Sequence, residues 1–432
     1  MKIRLLILVI FAIAFIRPSY PQRMITLKEC YDLASKKTSI AGEKEIYNSI
    51  WQLKDKNLTR NWLPTLDANA NFIYNSDIVD FTDVFSSIPI PGLANSTPLM
   101  PKDNYKLTLD INQMIYDGGT VRKARSVEEA DMRVNQQQAE SDLYKLRAQV
   151  NSCYFSLLLI DRQKELLINF LEVLTKRLST MQSALDNGVI LRSDIDVITS
   201  EKLRVEQQLT EIDLKKASLT SVLSDLTGIE IGSDVSLILP QVTAELTNDI
   251  TRPELKIFDL RKEQLEAGMG LLQTRRMPRA FGFASLGYGS PPGNNFFEDN
   301  FSTYYIVGAG IKWNIYDWDK VKNEKQQIRL QQGMLDGRKA ELNDNLKRSL
   351  ETKEAEIATL EAALNRDSEL IALRKRITSS AESQYANGTI TATELLNEMN
   401  SEKQAEINYV IHKISLEMAK IEYMNISGKE IE

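Results

Sequence analysis

The chain has 432 residues, with 53 lysines and arginines against 59 aspartates and glutamates, and a formal net charge of −6. A net negative chain without a concentrated basic patch is not expected to bind nucleic acid. Its two cysteines, Cys30 and Cys153, and its one histidine, His412, are too few and too scattered for a zinc site. The chain has no nucleophile-elbow, phosphate-loop or dinucleotide motif. We therefore expect no cofactor, no metal and no enzymatic activity.

The N-terminus predicts export from the cytoplasm. Lys2 and Arg4 precede an apolar run, Leu5 to Ile16, which prolines then interrupt. This is the layout of a secretory signal peptide, and the run is shorter than the roughly 20 residues of a membrane-spanning helix. We assign residues 1–22 to the signal peptide, with cleavage between about Ser19 and Arg23. The alternative is a buried N-terminal helix. No cysteine follows closely enough to predict a lipid anchor.

Two long tracts without proline, 102–239 and 293–432, predict long helices, because proline inside a helix costs about 3 kcal/mol. In the first tract, residues at spacings of three and four form a coiled-coil seam that only Lys164 interrupts. The members of this seam are Leu143, Leu146, Val150, Cys153, Leu157, Ile160, Lys164, Leu167, Leu171, Leu174, Leu178, Met181 and Leu185. A 67-residue helix would be roughly 100 Å long, so such a helix needs neighbours to cover its seam.

Asparagine and glycine interrupt each helical tract. The seam stops at Asn187-Gly188, and a second apolar series runs to Thr227-Gly228. The same plan returns 200 residues later, at Asn387-Gly388 and Ser427-Gly428. Glycine after a helix end supplies the left-handed cap. We predict two helical hairpins, at 120–227 and 319–426.

Alternating residues before each tract predict β-hairpins at 65–116 and 279–316. In the stretch "YKLTLDINQMIY", apolar residues alternate with Lys106, Thr108, Asp110 and Asn112. Strands of about 10 residues with this alternation are typical of outer-membrane barrels, and the four polar residues would then face the lumen. The alternative is a sheet with one wet face. Four strands cannot close a barrel, and lipid does not tolerate open edges, so a barrel would have to be shared between chains.

The sequence therefore predicts a tandem duplication. The strings "IYDGG" at 115–119 and "IYDWD" at 315–319 lie 200 residues apart, each between a predicted strand and a predicted helix. We predict an α+β membrane protein with repeats at 23–228 and 253–432, each a helix, a β-hairpin and a helical hairpin. A linker at 229–252 joins them.

The chain resembles the TolC family of outer-membrane efflux proteins. The resemblance rests on the duplicated plan, "RNWLP" (60–64), "RPEL" (252–255), "RRMP" (275–278), the two strand-to-helix junctions, and the tips "NGV" and "NGT". It implies a homotrimer with a 12-stranded barrel in outer-membrane lipid, a periplasmic α-helical tunnel and an equatorial region that includes 229–252. Its partners would be a periplasmic adaptor, also called a membrane-fusion protein, and an inner-membrane pump or ABC exporter.

The resemblance also implies a constriction at the periplasmic end, ringed by acidic residues after the hairpin tips. The matching positions are Glu394, Asn397, Asp194 and Asp196; Asn397 stands where a second acid is expected, and Ile390 where some members carry a base. The alternative for the acids is helix capping, since Thr391 and Glu394 also form a capping-box pattern. The tips would be the adaptor-docking surface: Asn187, Gly188, Val189, Asn387, Gly388 and Thr389.

The leading functional prediction is a passive outer-membrane export duct in a tripartite efflux or type I secretion system. Partner proteins would open it at the periplasmic tip. The alternative is a non-conducting periplasmic or surface coiled-coil protein, which would explain the heptads but not the alternating strands. The exported substrate cannot be read from the residues, because the specificity of a wide duct comes from its pump.

Overall fold

The computed structural model describes residues 23–79, 100–232, 235–242, 249–295 and 297–430. The predicted signal peptide, 1–22, lies outside these ranges. None of the helices in the described ranges combines the length and apolarity needed to cross a membrane. The elements, in chain order, are β1 (Arg23–Ile25), α1 (Leu27–Lys37), α2 (Glu43–Arg60), β2 (Thr65–Tyr74), β3 (Asp103–Tyr116), α3 (Thr120–Asp186), α4 (Arg192–Thr227), β4 (Val235–Leu237), α5 (Pro253–Gln273), β5 (Arg279–Ser290), β6 (Ser302–Lys312), α6 (Lys320–Ala386) and α7 (Ala392–Ser427).

The described chain forms two compact units. The first comprises Met1–Glu43, Gln138–Leu255 and Ala340–Glu432, in so far as these are described, and the second Lys44–Gln137 and Lys256–Lys339. The helices α3 and α6 contribute residues to both units. We call the first the helical unit and the second the sheet unit.

The sheet unit contains one antiparallel four-stranded sheet, in the order β2-β3-β5-β6. Its register places apolar residues opposite apolar residues: Leu109 pairs with Ala68 on one side and with Leu286 on the other. Asp110 pairs with Asp67 and with Ser285. Because side chains alternate between the faces of a strand, the sheet has one apolar face. The opposite face is polar along β2 and β3, and we call it the polar face; along β5 and β6 it also carries Phe281, Phe283, Tyr304 and Ile306. The apolar face is largely exposed to solvent in the single chain.

Glycines in β5 and β6 make room for aromatic rings from the neighbouring strand. A methyl group at Gly308 would collide with the ring of Phe283, and one at Gly310 with the ring of Phe281. In the opposite direction, the ring of Tyr304 on β6 occupies the space above Gly287 on β5. This glycine-rich hairpin therefore forms a regular sheet, because rings from the neighbouring strand cover glycine positions that lack side chains.

The two junctions share one aspartate-based turn. Asp117 of "IYDGG" is buried, and its carboxylate accepts hydrogen bonds from the backbone N–H groups of Gly119, at 2.8 Å, and Val121, at 2.6 Å. Asp317 of "IYDWD" accepts from the N–H of Val321, at 3.2 Å. Each aspartate satisfies N–H groups that the first turn of a helix leaves unpaired. This requirement explains why the chain carries the motif twice.

The second hairpin ends earlier than predicted. The sequence placed strand residues up to 316, whereas β6 ends at Lys312, opposite Arg279. The residue before Arg279 is Pro278, which has no N–H to continue the ladder. Trp313 instead donates its indole N–H to the carbonyl of Arg276, at 3.1 Å.

The helical unit is built around the seam of α3. Val150 and Leu174 are fully buried, and the remaining seam residues are buried or half-buried. Lys164, the polar interruption, forms an ion pair with Asp213 of α4 at 2.5 Å. A second cluster joins Tyr154 of α3 to Ile421 of α7 and to α1, while β1 pairs in parallel with β4.

We predict that Gly118→Ala destabilises the sheet unit more than Gly119→Ala. Both glycines have positive φ, at 68° and 83°, where an L side chain costs about 1–2 kcal/mol. Only at Gly118 would the new Cβ also lie 2.6 Å from the Cβ of Met277. Thermal unfolding in detergent, followed by circular dichroism, should therefore show a clearly lower midpoint for Gly118→Ala. Equal midpoints would contradict the packing account.

Candidate functional site: hairpin tips and polar sheet face

The two hairpin tips have the same backbone geometry. Gly188 and Gly388 both have φ of 70°. At the first tip, the N–H of Gly188 donates to the carbonyl of Leu185, and the N–H of Val189 donates to that of Ala184. Gly388 and Thr389 repeat these bonds 200 residues later. The crossed pair of bonds is the Schellman motif, which explains the glycine at each tip.

Side chains complete the same caps. The amide of Asn187 donates to the carbonyl of Ser183, and that of Asn387 to the carbonyl of Ser383, both at 2.8 Å. The hydroxyl of Thr389 donates to the carbonyl of Gln384 at 2.9 Å. Val189 has no such bond to make, and its side chain is 74% exposed. All six predicted docking residues therefore take part in the caps, and Val189, which does so through its backbone alone, presents an apolar side chain to solvent.

Glu394 forms the capping box that the sequence offered as its alternative role. Its carboxylate accepts from the N–H of Thr391 at 2.8 Å, and the Thr391 hydroxyl accepts from the N–H of Glu394 at 3.2 Å. The Thr391 N–H and hydroxyl hold the pKa of Glu394 below its ordinary value, because they stabilise the charged form. Glu394 is exposed, and its carboxylate is charged at neutral pH.

Asp194 and Asp196 also have partners on their own helix. The carboxylate of Asp194 accepts from the N–H of Leu191 at 3.0 Å, and Asp196 lies 3.4 Å from Arg192. Asn397 is exposed, and its backbone carbonyl accepts from the hydroxyl of Ser401. Capping thus accounts for the position of Asp194, while Asp196 and Asn397 have no capping bond among the described contacts.

Residues that sequence reasoning missed lie close to Asp194. Burial raises the pKa of Tyr385, the charge of Asp194 adds to this effect, and Arg177 opposes it. Arg177 in turn forms an ion pair with Glu382 of α6. The first tip is therefore linked electrostatically to the end of α6. Tyr385 lies two residues before Asn387, and no spacing in the sequence indicates that it lies near Asp194.

A buried ion pair between α4 and α7 was also missed. Lys403 and Glu201 are almost fully buried, with Nζ and Oε1 3.3 Å apart. Arg204 lies 2.5 Å from the same carboxylate, and the ammonium of Lys403 lies 4.4 Å from the ring centre of Phe170. Burial lowers the pKa of Lys403, whereas the charge of Glu201 raises it. A lysine and a glutamate inside a helix resemble surface residues in sequence, so no periodic signal identifies this pair.

The four predicted lumen residues share the polar face of β3. Asp110 accepts hydrogen bonds from the amide of Asn69, at 2.7 Å, and the hydroxyl of Thr108, at 2.8 Å. Lys106 lies opposite Asn71, and Asn112 opposite Thr65. The polar face is therefore a hydrogen-bonded surface across β2 and β3. Within the described ranges, no group of three or more histidine, cysteine or acidic residues is arranged to hold a metal ion.

Comparison with known families gives a match over most of this architecture. The model of the family described as outer membrane efflux protein matches residues 59–228 and 250–428. The chain belongs to the outer membrane efflux protein family. The family places this protein in the outer membrane and in the TolC-like class of efflux channels that the sequence suggested. Its two matched segments also follow the duplication.

Solved structures of one outer membrane protein and two outer membrane channels share the fold at low identity. VceC from Vibrio cholerae is 14% identical, with a TM-score of 0.65, 92% of this chain covered and 96% of that one. CmeC from Campylobacter jejuni is 15% identical, with a TM-score of 0.63 and coverages of 93% and 85%. The open state of MtrE from Neisseria gonorrhoeae is 15% identical, with a TM-score of 0.66 and coverages of 95% and 89%. The comparison with curated proteins returned no match.

We predict that Glu201→Gln is strongly destabilising, whereas the double variant Glu201→Gln/Lys403→Met recovers most of the loss. Breaking a buried ion pair from one side costs about 3–5 kcal/mol, because an uncompensated charge stays buried; replacing the buried charge by an apolar group removes that penalty. Denaturant unfolding of the three proteins in detergent measures both steps. A double variant no more stable than Glu201→Gln would show that the charge of Lys403 does not cause the loss.

Proposed function

We propose that this outer membrane efflux protein is the outer-membrane channel of a tripartite efflux or type I secretion system. It would act as a passive export duct, a homotrimer opened at its periplasmic tip by a periplasmic adaptor that also binds an inner-membrane pump or ABC exporter. The family match supports the location and the general role. The proposals of a homotrimer and of opening by an adaptor rest on the edges of the sheet and on the geometry of the hairpin tips.

The observation that carries the proposal is the incomplete sheet. Only β3 and β5 have partners on both sides, while β2 and β6 each leave one edge unpaired among the described strands. Unpaired backbone groups cost several kcal/mol each in hydrocarbon. A ring in which β2 of one chain pairs with β6 of the next would satisfy both edges. Three chains would give 12 strands, above the roughly eight that close a small barrel.

The two faces of the sheet fit that ring. The apolar face, which includes Leu107, Leu109 and Ile111, would contact lipid. The polar face, with Lys106, Thr108, Asp110 and Asn112, would line the lumen. A non-conducting coiled-coil protein would need neither face, so the sheet favours the channel over that alternative.

We place the aperture at the acidic residues after the tips. Glu394, Asp194, Asp196 and Asn397 are proposed to surround the closed opening, and Asn187, Gly188, Val189, Asn387, Gly388 and Thr389 to contact the adaptor. Capping and aperture roles are compatible, because the Glu394 carboxylate stays charged while it accepts its cap hydrogen bonds. An adaptor would open the duct by binding the open state more tightly than the closed one.

The oligomer and the conduction can be measured together. We expect detergent-extracted protein to have the mass of three chains by light scattering, and the same fraction to form conducting pores in planar bilayers. A monomer that remains in solution without detergent would contradict the proposal. A trimer that never conducts, even with adaptor and pump present, would favour the structural alternative.

Two arginine substitutions test which face of β3 contacts lipid. Leu109→Arg should sharply reduce assembly in the membrane, because a charge on the lipid face near the midplane costs about 2–4 kcal/mol. Thr108→Arg, one residue away, should be tolerated, since it would point into a wet lumen. The yield of heat-resistant oligomer in outer-membrane extracts compares the two. The reverse ranking would invert our assignment of the faces.

For the aperture, we expect Glu394→Gln to lower cation selectivity in bilayer recordings with little loss of trimer stability. Glutamine keeps the size of the side chain and can still accept a cap bond, but three copies of the variant would remove three negative charges from a narrow ring. Asp194→Asn is the matched control at the first tip. If Asp194→Asn abolishes selectivity while Glu394→Gln leaves it unchanged, the constriction belongs to the first hairpin.

The low pKa of Glu394 adds a pH dependence with a definite sign. Because the folded pKa lies below the ordinary value of 4.5, the cap stabilises α7 at neutral pH. This stabilisation should disappear as the pH falls below 4.5 and through the depressed pKa. Glu394→Gln should remove that part of the acid sensitivity of the tip, as measured by hydrogen exchange in the first turn of α7. Identical acid profiles for the two proteins would argue against the cap.

A further inference from the structure

Three helices of the sheet unit, α3, α5 and α6, line a cavity of about 620 Å³. This volume lies within the range of small-molecule sites, roughly 300–1,000 Å³. The wall carries three basic side chains: Lys123 of α3, and Lys325 and Arg329 of α6. The cavity lies within one unit of the chain and shares no residue with the hairpin tips or with the four polar residues of β3.

The three cations of the cavity have no counterion. Among the described residues, none of their side chains has an ion-pair or hydrogen-bond partner, although Lys123 and Lys325 are half-buried. By contrast, Lys262 of α5 lies 2.7 Å from Asp336 of α6. Partly dehydrated charges of one sign repel one another unless a negative group neutralises them. The cavity therefore favours a ligand that supplies negative charge.

Two acidic residues also line the cavity, yet they leave the cations unpaired. Glu263 and Glu266 belong to α5, whereas the cations belong to α3 and α6. The carboxylate of Glu263 lies 3.9 Å from Arg133, which is not part of the wall, and Glu266 has no ion-pair partner among the described residues. The cavity thus holds separated charges of both signs, which fit a ligand that carries both.

Gly270, in the last turn of α5, determines where the ammonium of Lys123 lies. A Cβ at Gly270 would lie 3.4 Å from Cδ of Lys123 and 3.6 Å from its Nζ. Because the glycine has no side chain, Lys123 lies against α5 itself. Glu266 is four residues before Gly270 and therefore on the same face of the helix. The ammonium and the carboxylate border one space without a direct contact.

We propose that this cavity binds a phosphoethanolamine group, which joins an anionic phosphate ester to an ammonium group. The phosphate would accept hydrogen bonds from Lys123, Lys325 and Arg329, and the planar guanidinium suits its oxygens. The ammonium would pair with Glu266. Inorganic phosphate fits less well, because Glu263 and Glu266 repel it. The inference does not rest on the proposed channel function, since all of the lining residues belong to one chain.

The group occurs in soluble esters and as a phospholipid headgroup, so the test uses probes of both kinds. Delipidated protein in maltoside detergent at low ionic strength would be titrated in a calorimeter with O-phosphoethanolamine, inorganic phosphate and dihexanoyl phosphatidylethanolamine. We expect O-phosphoethanolamine to bind more tightly than inorganic phosphate. Neutralising the cations should weaken its binding by about tenfold or more, in the cavity variant Lys123→Gln/Lys325→Gln/Arg329→Gln. The matched control removes three exposed charges at the starts of α3 and α6, outside the cavity, and should bind as the native chain does: Arg122→Gln/Lys320→Gln/Lys322→Gln.

A single substitution, Glu266→Gln, tests the two-charge site with opposite signs. It should weaken the binding of O-phosphoethanolamine, because the ammonium loses its partner. It should strengthen the binding of inorganic phosphate, because one repulsive charge is gone. A change of both affinities in the same direction would contradict the site. This variant keeps the proposal testable if the cavity variant does not fold.

The lipid probe identifies the source of the group. A lipid that binds about tenfold more tightly than the soluble ester, and loses this affinity in the cavity variant, assigns the cavity to a headgroup. Equal affinities assign it to a soluble ester. The absence of saturable binding, binding that survives in the cavity variant, or an equal loss in the control overturns the site. A chain that conducts normally without this binding contradicts the inference and leaves the proposed function intact.

Discussion

The unpaired edges of β2 and β6 are the constraint on which the rest of this structure depends. Among the described strands, the four-stranded sheet leaves two rows of backbone N–H and C=O groups without partners, one on each edge strand. In water these edges would invite aggregation, and in lipid they are not tolerated. The alternation along β3 and its partners fits the arrangement that we propose, in which the edges of several chains satisfy one another. The polar residues around Asp110 then have a wet interior to face.

The helical unit obeys a related constraint. The apolar seam of α3 is covered by α4 and α7 within the same chain, and its one polar member, Lys164, finds Asp213 on α4. The Schellman caps at Gly188 and Gly388 end the long helices without leaving their last carbonyls unpaired. Among the described residues of the helical unit, the buried charged side chains of Lys403 and Glu201 are paired with each other. These local requirements are sufficient to explain the backbone geometry of the tips, independently of any role in opening.

Much of this architecture could be predicted from periodicity, because burial and pattern coincide. The seam from Leu143 to Leu185 and the alternation of β3 are both visible in the sequence, and the tips follow from asparagine and glycine. Contacts between distant segments could not be predicted, because single-sequence periodicity gives no register between helices. This is why Lys164 stood as an unexplained interruption and why the pair Lys403–Glu201 was missed. The end of β6 at Lys312 could not be predicted, because it depends on the missing N–H of Pro278. The positive φ of Trp318, 53°, could not be predicted either, because tryptophan does not favour that conformation.

The central claim is that neighbouring chains join through β2 and β6, and engineered disulfides test it most directly. With Cys30 and Cys153 replaced by serine, one cysteine would be placed at Asn69 on β2 and a second would be moved along β6 through Ser302, Tyr304 and Ile306. All four positions lie on the same face of the sheet. The β6 position that lies opposite Asn69 of the neighbouring chain should therefore form a disulfide on oxidation in the membrane. The account predicts a covalent ladder in denaturing gels that stops at three chains. Only monomers at every position, or a ladder that stops at two or continues past three, would contradict it.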